Sequence, residues 1–151
     1  LSKSYQSIVI LIADDDPEDS DLAVEALRES RLRNDVRVVS DGEELMEYLR
    51  QSGRYTPETA PKPGLILLDL NMPKMDGREA LAQIKSEPEL RTIPIVVLTT
   101  SQAEEDVYRS YGLGANSYIT KPVTFAGLTK VTQCLVDYWF NIVTLPNETQ
   151  A

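Results

Sequence analysis

The sequence predicts an α/β fold: a five-stranded, mostly parallel sheet, doubly wound with helices on both faces in a (βα)5 order. Three observations predict it. Short apolar runs recur along the 151 residues, segments with helical spacing separate them, and the pattern repeats five times. The clearest runs are apolar at nearly every position rather than at every second one. Strands buried on both faces have this signature, and helical crossovers produce such strands.

The first strand is read at Ile8–Ala13, six apolar residues that stop at Asp14. A helix follows, with Pro17 and acidic residues suited to its start and Leu22, Ala23, Ala26 and Leu27 at helical spacing. Val36–Val39, flanked by Asp35 and Asp41, gives a Val-rich second strand. Asp41-Gly42 then opens a helix carrying Leu45, Met46 and Leu49. Ser52–Pro63, rich in proline, threonine and polar residues, reads as an extended surface loop before the third strand, Leu65–Leu68. Asp76-Gly77 is a turn and helix start for Ala80, Leu81 and Ile84. The fourth strand is read at Ile93–Leu98. Its helix carries Ala103, Val107 and Tyr111 and ends near Gly112. Asn116–Thr120 is the weakest strand. The last helix places Phe125, Leu128, Val131, Leu135 and Tyr138 or Trp139 on one face, and the tail Asn141–Ala151 is expected to leave the globular body.

Length and composition fit one compact unit over 1–151, with its core at about 8–140: 42% of residues are apolar and 26% charged. No apolar run approaches the roughly 20 residues of a membrane span, and Ile8–Ala13 is too short and too acidic at its end for a secretory signal. A cytoplasmic location is expected. The absence of Met at position 1 points to a trimmed start. A net charge of −9 without a basic run argues against nucleic acid as a partner. Cys134 is the single cysteine, read as a small core residue, so no internal disulfide forms. There is no histidine, which excludes His-based triads and the common zinc sites.

Chemistry must then come from carboxylates, hydroxyls and lysines, and these cluster at the predicted strand ends. The first strand ends in Asp14, Asp15 and Asp16. The third ends in Asp69-Leu70-Asn71, the fourth in Thr99 and Thr100, and the fifth in Lys121-Pro122. Doubly wound sheets bind ligands beyond the carboxyl ends of their strands, at the switch point in strand order. Converging carboxylates repel unless they protonate, pair or share a cation, and hard oxygen donors suit Mg²⁺ or Mn²⁺. A carboxylate can also act as a nucleophile toward phosphorus, with a lysine and a hydroxyl to take up the phosphoryl charge. Taken singly, each motif has a plainer reading. Asp14–Asp16 reads as a solvated loop or cap, with Asp16 the N-cap of the first helix; Thr99 and Thr100 read as strand-end residues, Lys121 as a surface lysine, and Tyr118 as a half-buried aromatic.

Together, Asp14-Asp15, the segment Asp69-Leu70-Asn71-Met72-Pro73-Lys74-Met75-Asp76-Gly77, Thr99, and Tyr118-Ile119-Thr120-Lys121-Pro122 resemble the CheY-like receiver domain of response regulators over about residues 8–140. The resemblance implies a flavodoxin-like fold and a two-component phosphorelay. Asp69 looks like the phosphoacceptor. Asp15 looks like a direct Mg²⁺ ligand, with Asp14 acting through water, Asp69 in the metal set and Asn71 giving its backbone carbonyl. Thr99 resembles the switch hydroxyl, Lys121 the lysine that contacts the phosphoryl group, and Tyr118 the aromatic that swings inward with Thr99. The resemblance also implies a cis Lys121–Pro122 bond and a response carried by the fourth helix, fifth strand and fifth helix. Thr100 departs from the pattern, which favours a small residue there, and implies narrower access to the phosphoryl group and an altered rate of its hydrolysis.

Other readings are weaker. A haloacid dehalogenase-type phosphatase needs a second acid two residues after the nucleophile, where Asn71 stands. A flavodoxin-like cofactor binder needs a Ser/Thr/Gly-rich loop where this chain has three aspartates. A receiver-like module that binds partners without phosphorylation remains the main alternative. Little follows the last helix, so the expected output is a change in protein–protein contact, with a sensor histidine kinase upstream and a protein target downstream. The apolar stretch Tyr138-Trp139-Phe140-Asn141-Ile142-Val143-Thr144-Leu145-Pro146, with Gly77-Arg78-Glu79, looks like the response regulators paired with phytochromes. That subgroup implies a homodimer through the fifth helix and its extension.

Overall fold

The computed structural model describes residues 8–28, 34–122 and 124–138. Strand and helix alternate in the expected order: β1 (Ile8–Ala13), α1 (Pro17–Arg28), β2 (Asn34–Val39), α2 (Gly42–Arg50), β3 (Leu65–Leu68), α3 (Gly77–Ser86), β4 (Ile95–Thr99), α4 (Glu104–Leu113), β5 (Ser117–Thr120) and α5 (Phe125–Val136). All four strand pairings are parallel, and the strands lie in the order β2-β1-β3-β4-β5. Strand order reverses between β1 and β3, which is where such a sheet opens a crevice.

The unbroken apolar runs follow from burial on two sides. Successive strand residues point to opposite faces. Ile10, Ile12, Leu65, Leu67 and Val96 therefore pack with Ala23 and Leu27 of α1 and Leu135 of α5. Leu11, Ala13, Ile66, Leu68, Ile95 and Val97 face the larger cluster built with α2 and α3. Local signals set the helix starts. The side chain of Asp41 accepts the Glu44 N–H, that of Asp76 accepts the Arg78 N–H, and that of Thr124 accepts the Gly127 N–H. The Asp16 carboxylate accepts from the Glu18 and Asp19 amides at the head of α1, in keeping with a capping role. No helix among the described residues is long and apolar enough to cross a membrane.

Several sequence expectations change. β4 begins at Ile95, because Pro94 cannot donate to the ladder; Ile93 is buried but lies before the strand. Ser52–Pro63 is the surface loop expected, and it is tied down by side-chain bonds. Tyr55 donates to Glu44, Tyr48 to the Pro61 carbonyl and Gln51 to the Ala60 carbonyl, and Ala60 is fully enclosed. In α5, Leu128, Thr132 and Leu135 form the buried face, whereas Phe125, and Tyr138 just past the helix, are exposed. Cys134 is also exposed, because it precedes Leu135 and points away from that face. The Ala103–Val107–Tyr111 spacing does not mark a core stripe, since Ser110 is the buried residue of α4. Trp139 and the tail Asn141–Ala151 lie outside the described residues.

Candidate functional site

Register brings the strand ends together. Ala13 pairs with Leu68 and Thr99 with Thr120, so Asp14, Asp69 and Lys121 emerge side by side from their strands. The backbone anchors each of them. Asp14 N–H donates to Val39 O (3.0 Å), Asp69 N–H to Ala13 O (2.9 Å) and Lys121 N–H to Thr99 O (2.7 Å). After Asp69 the chain turns back at once, and Gly77 N–H donates to Leu70 O at 2.9 Å. Only glycine fits at that point, because a Cβ there would overlap the Asp69 carbonyl.

Asp14, Asp69, Thr99 and Lys121 are all buried. The Lys121 ammonium gives its three donors to three carboxylates: Asp14 Oδ2 at 2.7 Å, Asp19 Oδ2 at 2.9 Å and Asp69 Oδ2 at 3.0 Å. The other oxygen of Asp69 accepts the Thr99 hydroxyl at 2.8 Å and the Asn71 amide at 3.0 Å. Both Asp69 oxygens are thus held by donors suited to a developing phosphoryl charge. The Asn71 side chain lies 3.5 Å from the Thr99 hydroxyl. Tyr118 is half-buried beside this group, and its hydroxyl donates to Ser101 O at 3.0 Å. Thr100 is exposed.

The electrostatics are those of crowded acids around one cation. Burial pushes the Asp14 carboxyl up to about 6, against the pull of its hydrogen bond with Lys121. Burial disfavours the Lys121 ammonium, yet its bonds to Asp14 and Asp19 hold its pKa above the usual lysine value. Asp15 is exposed at the rim, and oxygens of Asp14, Asp15 and Asp69 lie within 4.8 Å of one another. A lone ammonium cannot offset so many acids. The hard oxygen donors, open on the Asp15 side, fit a divalent cation of the Mg²⁺ or Mn²⁺ kind that keeps part of its water shell.

The structure therefore brings together Asp14, Asp15, Asp69, Asn71, Thr99 and Lys121, with Tyr118 at the edge. The Lys121–Pro122 bond, implied to be cis, is trans. Trans is the preferred form before proline by about 0.5–1 kcal/mol, and Lys121 reaches all three carboxylates from it. Asp19 was missed in the sequence. Its signal was slight, an acidic residue in the first turn of a helix that starts beside the strand ends.

Comparison with known proteins follows the same lines. The response regulator receiver domain family matches residues 10–133. Response regulator Rcp1 of Synechocystis sp. is 47% identical over 138 residues, covering 91% of this chain and 92% of Rcp1. The crystal structure of the Mn(2+)-bound form of Rcp1 covers 92% of this chain and 99% of its own, with a TM-score of 0.88 and 47% identity. The phosphorylated cyanobacterial phytochrome response regulator RcpA covers 93% and 99%, with a TM-score of 0.89 and 45% identity.

Proposed function

Because this chain belongs to the response regulator receiver domain family, we propose that it works by accepting a phosphoryl group on Asp69. The observation that carries this reading is the pairing of the two Asp69 oxygens. One meets the Lys121 ammonium at 3.0 Å and the other the Thr99 hydroxyl at 2.8 Å, at the switch point of the sheet.

In the proposed step an Asp69 carboxylate oxygen attacks phosphorus. The P–O bond forms as the P–N bond to the donor's histidine breaks, and the imidazole leaves with the electron pair and takes a proton from water. Lys121 turns from the carboxylate to a phosphoryl oxygen, and the Thr99 hydroxyl moves its hydrogen bond to a second one. Asp14, Asp15, Asp69 and the Asn71 backbone carbonyl would hold a divalent cation, Mg²⁺ by preference with Mn²⁺ as a substitute. That cation supplies charge neutralisation of the phosphoryl oxygens. The protein is a phosphoacceptor in signalling, whose own chemistry is limited to loading and losing the group.

We take the donor to be a sensor histidine kinase, and a phytochrome in particular, since RcpA is described as a phytochrome response regulator. Residues 8–140 act as one receiver unit in the cytoplasm. Its output is a changed contact with a downstream protein, and exposed Phe125 on α5 and Tyr138 just beyond it favour pairing with a second copy.

The test is phosphotransfer from a kinase carrying labelled phosphohistidine. Label should move to the wild-type protein as a hydroxylamine-sensitive acyl phosphate and fail to reach Asp69→Asn. A kinase that binds the protein while keeping all of its label would instead point to a phosphorylation-independent binding module.

A further inference from the structure

Arg78 does not touch Asp69; it reaches Asn71 Oδ1 and the Leu70 carbonyl only at 3.5 Å, and makes its shorter bonds away from the acceptor. Its guanidinium grips Asp106 with two parallel bonds, Nε to Oδ1 at 2.7 Å and Nη2 to Oδ2 at 2.6 Å, and a third bond reaches Asp76 at 2.9 Å. Asp106 Oδ2 also accepts the Ser101 hydroxyl at 2.6 Å. The carbonyl of the same Ser101 receives the Tyr118 hydroxyl. One side-chain chain thus runs from the start of α3, through the first turn of α4, to the loop that follows Thr99.

This chain matters because residues 102–105 of that loop are exposed, so burial does little to fix it. α4 buries only Ser110, and its N-cap, Ala103, makes no side-chain capping bond. Apolar packing is therefore a weak constraint on residues 100–106, and the ion pair is a strong one. Its two side chains are 25% and 13% exposed, so solvent screens the pair less than a fully exposed one. The Arg78 and Ser101 bonds hold the Asp106 carboxyl down to about 2, so the link persists at any ordinary pH.

We infer that Arg78 is a positioning residue for phosphoryl transfer: through Asp106 and Ser101 it holds the β4–α4 loop closed, keeping Thr99 and Tyr118 in their phosphoryl-ready places before the group arrives. The inference rests on the reading of Asp69 as acceptor. The clamp ends on the loop that joins these two groups: the Thr99 hydroxyl donates to Asp69 just before it, and the Tyr118 hydroxyl donates to the Ser101 carbonyl within it.

A double-mutant cycle tests it. Acetyl phosphate and Mg²⁺ are added to the full chain, and the initial rate of acyl-phosphate formation is followed by intact mass, with thermal unfolding measured alongside. Arg78→Gln, Asp106→Asn and the double variant should each load about tenfold slower and reach one shared rate, the scale expected of a reacting hydroxyl moved by a fraction of an ångström. The Mg²⁺ concentration for half-maximal rate should not move, and the swap Arg78→Asp with Asp106→Arg should recover much of the loss. Should Arg78→Gln fail to fold, Ser101→Ala breaks the same chain at one hydrogen bond and should slow loading about threefold. Wild-type rates in these variants, or single losses that multiply in the double variant, would overturn the clamp while leaving Asp69 as acceptor. A wild-type protein that takes no group on Asp69 would overturn both.

Discussion

Asp14 holds its proton to a higher pH in the folded protein than in the unfolded chain. Its carboxyl sits at about 6 when folded, against 3.8 for an exposed aspartate, and burial is the main cause. Here the folded value is the higher one, so stability from this group is fully present below about pH 4 and is lost as pH rises through about 6. Asp14→Asn should therefore raise the unfolding midpoint of the metal-free protein at pH 8, by about 3 °C or on the order of 1 kcal/mol. The gain is smaller than the shift alone implies, because Lys121 loses a partner. A lowered midpoint would show that the Lys121 bond outweighs the burial. The same proton competes with a cation, so Mn²⁺ affinity measured by calorimetry should fall by up to about tenfold per unit below pH 6. Lys121 is the converse case. Lys121→Met leaves three acids facing one another and should cost about 3 kcal/mol in urea unfolding. At this scale the site residues at strand ends were readable, because Asp14, Asp69, Thr99 and Lys121 each close a strand. Asp19 and Arg78 were not, because a helix-surface charge looks the same in sequence whether it faces water or a pocket.

At the level of elements, the tight return after β3 sets the acceptor's position. Gly77 lets α3 begin against the backbone of Asp69 and Leu70. Gly77→Ala should destabilise the protein by roughly 1–3 kcal/mol through overpacking, and should slow loading of Asp69 by displacing its carbonyl. Unchanged stability would mean that the turn relaxes freely. Strands, and the helices whose apolar stripe meets the core, were legible: Leu45, Met46 and Leu49 of α2 and Ala80, Leu81 and Ile84 of α3 are all buried as their spacing predicts. The two C-terminal helices were misread in detail. α5 buries Thr132, whose hydroxyl is satisfied by Leu128 O at 2.9 Å, and leaves Phe125 exposed. α4 presents Tyr108 and Tyr111 to solvent. Hydrophobicity marks what can be buried, and among the described residues these side chains stay exposed.

For the whole molecule, fold and site are one construction: parallel strands put all the reactive ends at one edge, and the reversal between β1 and β3 opens that edge. A cation bound there favours the folded state by mass action. Mg²⁺ at a hundred times its dissociation constant should add about 2.7 kcal/mol to the unfolding free energy, and much less in Asp69→Asn. Equal stabilisation of both would place the cation elsewhere. The most direct test of the central claim is intact-mass spectrometry with peptide mapping after acetyl phosphate treatment, with and without Mg²⁺, on wild type and Asp69→Asn. A Mg²⁺-dependent gain of about 80 Da, the mass of one phosphoryl group, should map to the Asp69 peptide and be absent from the variant. A gain of the same size that persists in Asp69→Asn, or that maps to a serine or threonine, would contradict the assignment of Asp69 as acceptor.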